Sequence, residues 1–138
     1  MIVPGIEELS VAKVFNRGVP NKESIAICVN ESTDMGQFGL MLGISSGAKE
    51  AVPFHDQLYW FGNGQVQNGD WIFLYTGSGT PRTTTDPDDG SKIYTVFWGR
   101  PATALANSQV VPILFKVGAV DILLPPADQL QDALESDT

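Results

Sequence analysis

The one histidine, His55, stands beside an acid, Asp56. A hydrolytic proton shuttle is built from this pairing, with the imidazole between a nucleophile and an orienting carboxylate. Ser45 and Ser46 lie near in sequence, but neither occupies a Gly-x-Ser-x-Gly elbow. A polar loop histidine following Pro53 satisfies the same residues. Asp86, Asp88 and Asp89 place three carboxylates before Gly90. Hard oxygen ligands around a sharp turn suit calcium, which makes Ca²⁺ the one cofactor the sequence offers. The EF-hand spacing is absent, however, and a solvated hairpin loop uses Pro, Asp and Gly for turn chemistry alone. Gly77-Ser78-Gly79 has neither a dinucleotide fingerprint nor a Gly-Lys-Ser/Thr, so nucleotide binding is excluded.

The aromatic residues are the stronger functional signal. Neighbours on a strand alternate faces, so Tyr59, Trp60 and Phe61 cannot all enter one core. Trp71, Phe73 and Tyr75 share one face, while Tyr94, Val96 and Trp98 share another. Arg100 follows Trp98 closely, and aromatics with arginine favour interfaces. Trp60, Trp98 and Arg100 are therefore the candidate binding residues. Filling both sides of a sandwich core is the alternative use for the same rings. Cys28, the single cysteine, alternates with Ile27 and Val29 and reads as a small buried hydrophobe. It leaves no internal disulfide and no Cys-rich zinc site.

The chain as a whole limits what these residues can serve. Eight basic residues against 16 acidic ones give a net charge of −8. The basic residues are scattered singly, so a phosphate backbone or an anionic membrane surface is not an expected partner. No apolar run is long enough to span a bilayer, and the first residues lack the basic start of a secretory signal. A cytoplasmic location is the expectation. At 138 residues with 43% hydrophobic content, one domain with a real core is expected.

Fourteen glycines and nine prolines suit a turn-rich β protein rather than a helical bundle. Strands are expected over residues 10–17, 23–30, 37–44, 57–61, 71–75, 92–98 and 110–117, with a last one over 119–124. Within 23–30 the large Ile25, Ile27 and Val29 fall on one face and the small Ser24, Ala26 and Cys28 on the other. Asn63-Gly64 predicts a type I′ hairpin, and Asn68-Gly69-Asp70 a second turn. Pro112 marks an edge strand or a bulge. Residues 77–91 are polar, rich in Gly, Pro and Asp and without hydrophobic period, and read as a long mobile loop. Residues 125–138 form a short acidic tail carrying Asp128, Asp132, Glu135 and Asp137, with a short helix possible in composition over 127–135. Eight or nine strands at turn spacing define an all-β sandwich over residues 1–124.

Two stretches resemble the lamin-tail family of immunoglobulin-like sandwiches. Glu23-Ser24-Ile25-Ala26-Ile27-Cys28-Val29-Asn30, followed by Phe38-Gly39-Leu40-Met41-Leu42-Gly43, is similar to that family's opening strand pair. Asn68-Gly69-Asp70-Trp71-Ile72-Phe73-Leu74-Tyr75-Thr76-Gly77 is similar to its Gly-Asp strand segment. Leu105-Ala106-Asn107-Ser108 stands where the family has its Trp-Asn-Asn motif, so that motif is lost here. The resemblance covers about residues 10–122. It implies an immunoglobulin-like sandwich acting as a non-catalytic binding or scaffolding module, and transfers no functional residue. The functional expectation is a small non-enzymatic module making contacts with a protein partner or itself, through an aromatic surface or a sheet edge. The alternatives are a calcium-assisted carbohydrate-binding module and a hydrolase using His55 and Asp56.

Overall fold

The computed structural model describes residues 5–48 and 50–125. Its ten strands are β1 (Leu9–Phe15), β2 (Ser24–Val29), β3 (Thr33–Asp34), β4 (Phe38–Gly47), β5 (Glu50–Trp60), β6 (Gln65–Val66), β7 (Trp71–Tyr75), β8 (Arg82–Thr85), β9 (Lys92–Phe97) and β10 (Val110–Lys116). A single 3-10 turn, Met35–Gln37, joins β3 to β4. The protein is all-β. One sheet has the order β1-β2-β7-β9-β8, a second β10-β4-β5, and β3 and β6 form a short ribbon. Every pair is antiparallel except β7 with β9, which run parallel.

The alternation of aliphatic residues decides which faces meet. Leu9, Ile25, Ile27, Ile72 and Leu74 of the large sheet share one core with Phe38, Leu40 and Leu42 of the small one. Leu105, from the loop after β9, is fully buried in the same cluster. Two side chains hold that loop in place. Arg17 donates through Nη1 to the carbonyls of Leu105, Asn107 and Val110 at 3.2, 3.3 and 2.9 Å. Glu23, only 1% exposed, accepts the backbone N–H groups of Ala104 and Leu105. Buried backbone donors require such partners, and here side chains supply them where a ladder does not.

Three sequence expectations change. Asn63-Gly64 makes no hairpin: in the segment 62–64 only Gly62 has positive φ (78°), and β6 pairs with β3 rather than β5. Asp34 explains the diversion, because its Oδ1 accepts from Gly36 N at 2.9 Å and Gly64 N at 3.1 Å. Residues 77–91 are not one loop, for they contain β8, paired with β9 from Arg82↔Thr95 to Thr85↔Lys92. Its Arg-Thr-Thr-Thr sequence is exposed on both faces. It shows no hydrophobic period, while β-branched threonine suits the pleat. Residues 119–124 join no ladder and run exposed beyond β10. Pro112 does lie on an edge strand, since β10 ends its sheet. The acidic tail beyond Pro125, with its expected helix, lies outside the described residues.

Candidate functional site

In β7 the aliphatic Ile72 and Leu74 are buried, so the period of two sends Trp71, Phe73 and Tyr75 to the outer face of the large sheet. Their neighbours across the sheet are small: Cys28, Ala26 and Ser24 pair with them in register. Beyond β2, Ser10, Lys13 and Phe15 occupy the corresponding outer positions of β1. Because the middle strand is low, Phe15 approaches Phe73 across it, with ring centroids 6.2 Å apart. Trp71 stacks on Phe73 at 6.1 Å, and Tyr75 on Phe97 at 5.4 Å. Aromatic pairs at these separations contribute about 0.5–1.5 kcal/mol each beyond area burial. The rings cover Ala26 and Ser24 but keep surface of their own: Phe15 is 38% and Trp71 36% exposed.

Cations rim this aromatic face. The Lys13 ammonium sits 4.9 Å from the Phe15 centroid. Lys22 and Arg82 line a hollow of about 300 Å³ with Tyr75 and Phe97. Three of the eight basic residues thus surround one stripe on a chain of net charge −8.

The small sheet repeats the design. Its middle strand β4 carries Gly39 and Gly43 outward, between β10 and β5. The Phe115 ring lies against Gly39, where a Cβ would collide with it. That ring meets Trp60 at 6.1 Å. Trp60, Leu58 and Val52 on β5 are 45, 53 and 60% exposed. A sandwich ordinarily turns polar residues outward; this one carries apolar and aromatic side chains on both outer faces.

Of the residues singled out in the sequence, Trp60 is therefore an outer-face residue. Trp98 is not: it is partly buried, packs on the core, and lies 5.7 Å from the inward-facing Tyr59. Arg100 does join Trp98, its guanidinium 5.3 Å from the ring centroid. Trp60 is separated from that pair because neighbours on β5 alternate, Tyr59 pointing in and Trp60 out. Burial raises the Tyr59 phenol above its ordinary value.

His55 and Asp56 are exposed in a bulge of β5, where the register jumps from Met41↔Leu58 to Gly43↔Pro53. Asp86 and Asp89 turn back on their own hairpin between β8 and β9. Asp86 Oδ1 accepts from Asp88 N and Asp89 Oδ1 from Ser91 N, each at 2.8 Å. Hydrogen bonding from Ser91, side chain first and then backbone, holds the Asp89 carboxyl below its usual value. Among the described residues no three His, Cys, Asp or Glu side chains gather to hold a metal ion. Cys28 is not a core residue, since the register turns it outward beside Trp71 and it is half-buried.

Nothing in the sequence pattern marks Phe15, Phe97, Lys13, Lys22 or Arg82 as members of this face. The available signal was Ile72 and Leu74: once aliphatics fill the core, rings at alternate positions must lie outside it. No helix among the described residues is long and apolar enough to cross a membrane. No protein-family model matches the chain, and neither does any curated protein.

Proposed function

We propose that the chain is a small, non-enzymatic binding and assembly module that engages protein through the aromatic outer face of its large sheet. The observation that carries this reading is the stripe of Phe15, Phe73, Trp71, Tyr75 and Phe97, laid over small residues and rimmed by Lys13, Lys22 and Arg82. Rings that retain exposed surface within a packed cluster are the usual anchors of protein interfaces. The rim favours a partner that presents acidic or carbonyl groups around an apolar centre. Trp60 and its neighbours on the small sheet form a second, flatter contact face.

The lamin-tail resemblance supports placing the sandwich with immunoglobulin-like scaffolding domains. The net charge supports protein over nucleic acid as partner. A single cysteine, outward-facing but half-buried, fits a reducing compartment such as the cytoplasm.

The test pairs Trp71→Ser with Phe73→Ser in one variant and compares its association with that of the natural chain, by light scattering and by capture of a stoichiometric protein partner. Association should weaken by at least about tenfold, since the removed rings are interface anchors rather than core. Unchanged association, of the chain with itself and with every captured protein, would overturn the proposal.

A further inference from the structure

None of the five strands of the large sheet contains an aspartate or a glutamate, although the chain carries 16 acidic residues. One row of paired residues crosses all five strands: Lys13↔Ala26, Ala26↔Phe73, Phe73↔Thr95 and Arg82↔Thr95. It sets a cation at each edge of the outer face and an aromatic ring in the middle. Four strand spacings, about 19 Å, separate Lys13 from Arg82. Lys22 joins Arg82 beside Tyr75 and Phe97. Among the described residues the one ion pair is Lys116–Glu8, so Lys13, Lys22 and Arg82 meet no carboxylate there. The opposite end of the face differs. Just beyond the row of Thr84, Ile93 and Trp71, the chain turns through Asp86, Asp88 and Asp89.

We propose that the acidic residues 126–138 lie over the cationic end of this face of the same chain, around Phe15, Tyr75 and Phe97. This rests on reading the face as a protein-binding surface and gives it a ligand class: an acidic segment with apolar side chains. Two observations carry it. Residues 126–138 hold Asp128, Asp132, Glu135 and Asp137 without a lysine or arginine, together with Leu130 and Leu134. The carboxylates complement the three cations, and the leucines complement the rings between them. The chain also leaves the sandwich beside this face. Lys116, the last residue of β10, pairs with Glu8. The Glu8 carbonyl accepts from Asn30 N, and Asn30 Nδ2 donates to Ser10 Oγ, on the outer side of β1. Residues 117–125 separate that exit from the acidic segment, which itself can extend to about 40 Å, twice the width of the sheet. The Asp86–Asp89 hairpin repels such a segment from the Trp71 end, which stays open to a partner.

The full-length chain is treated with a carbodiimide, which joins a lysine to a carboxylate in contact with it, and the joined peptides are mapped by mass spectrometry. Links from Lys13 and Lys22 to Asp128, Asp132, Glu135 or Asp137 should form within single chains and exceed those from Lys92 by about fivefold. Their yield should fall about threefold between about 0.05 and 0.5 M salt. Arg82→Gln removes no linkable group, yet should lower that yield by about twofold or more. A variant carrying Asp128→Asn, Asp132→Asn, Glu135→Gln and Asp137→Asn should still melt cooperatively, while hydroxyl-radical oxidation of Tyr75 rises about threefold. The contact is overturned by equal linkage of Lys13, Lys22 and Lys92, by unchanged Tyr75 oxidation, or by links found only between isotope-labelled and unlabelled chains. If it is overturned while the Trp71 and Phe73 changes still weaken association, the face keeps its partner and loses this ligand. If the links form but those changes leave every association intact, the acidic segment stands as ligand and the partner reading fails.

Discussion

Removing the carboxylate of Glu23 tests how the loop after β9 is held. The side chain is 1% exposed and accepts from Ala104 N at 3.1 Å as well as from Leu105 N. Through these bonds it keeps Leu105, which is 0% exposed, in the core. Hydrogen bonds to a charged acceptor contribute about 1.5–3 kcal/mol, and a buried donor left unpaired costs about 1–3 kcal/mol. Because Ala104 is only half-buried and water would reach it, Glu23→Ala should lose about 3 kcal/mol rather than the sum of both bonds. For a chain of this size that lowers the melting temperature by about 10 °C. Glu23→Gln keeps one acceptor without the charge and should lose about 1–2 kcal/mol. Urea unfolding read by tryptophan fluorescence, with the m-value unchanged, gives both numbers. Hydrogen exchange at Leu105 should accelerate in the alanine variant more than at Ile27. A loss below about 1 kcal/mol for Glu23→Ala, or a larger loss for glutamine than alanine, would refute the reasoning.

Two further predictions concern the sheets and their acid sensitivity. At Gly43 a Cβ would stand 2.5 Å from the Val52 carbonyl oxygen, a backbone atom that cannot rotate away. Gly43→Ala should therefore cost about 1–3 kcal/mol by thermal unfolding. Gly39→Ala, which meets only the end of the Phe115 ring, should cost less. The Glu8 carboxyl is held below its usual value chiefly by its hydrogen bond from Lys116. Asp34 is held low by the backbone N–H groups of Gly36 and then Gly64. Both folded values lie below the unfolded ones, so the unfolded chain binds more protons in the acid range. Their stabilisation is complete above the ordinary carboxylate range and is lost as pH falls below about 4. A variant with Glu8→Gln and Asp34→Asn should show a shallower decline of melting temperature between about pH 4 and 2; an equally steep decline would contradict these contacts.

The sandwich was legible wherever hydrophobic period and turn chemistry agreed, as in 23–30 and 71–75. It was illegible where pairing depended on distant partners. The Arg-Thr-Thr-Thr of β8 has no buried face, and only its ladder with β9 defines it. β5 is longer than residues 57–61 because β4 carries an exposed strand through Pro53 and His55, whose sequence alone reads as loop. The aromatics posed a subtler problem. Period two divides Trp71 from Ile72, but it does not say which face is inside. That choice follows from the aliphatic residues, which pack a dry core without a polar atom to satisfy. Trp98 and Trp60 look equivalent as sequence positions. Trp98, just past the end of β9, packs toward the core, whereas Trp60 is on the outer side of an edge strand.

The central claim, that the outer aromatic face is an interface, is tested most directly by oxidative footprinting of the chain with and without its bound partner. Trp71 oxidation should fall by about threefold or more on association, while the inward-packed Trp98 stays unchanged. Equal oxidation of Trp71 in the free and associated chain would contradict the account.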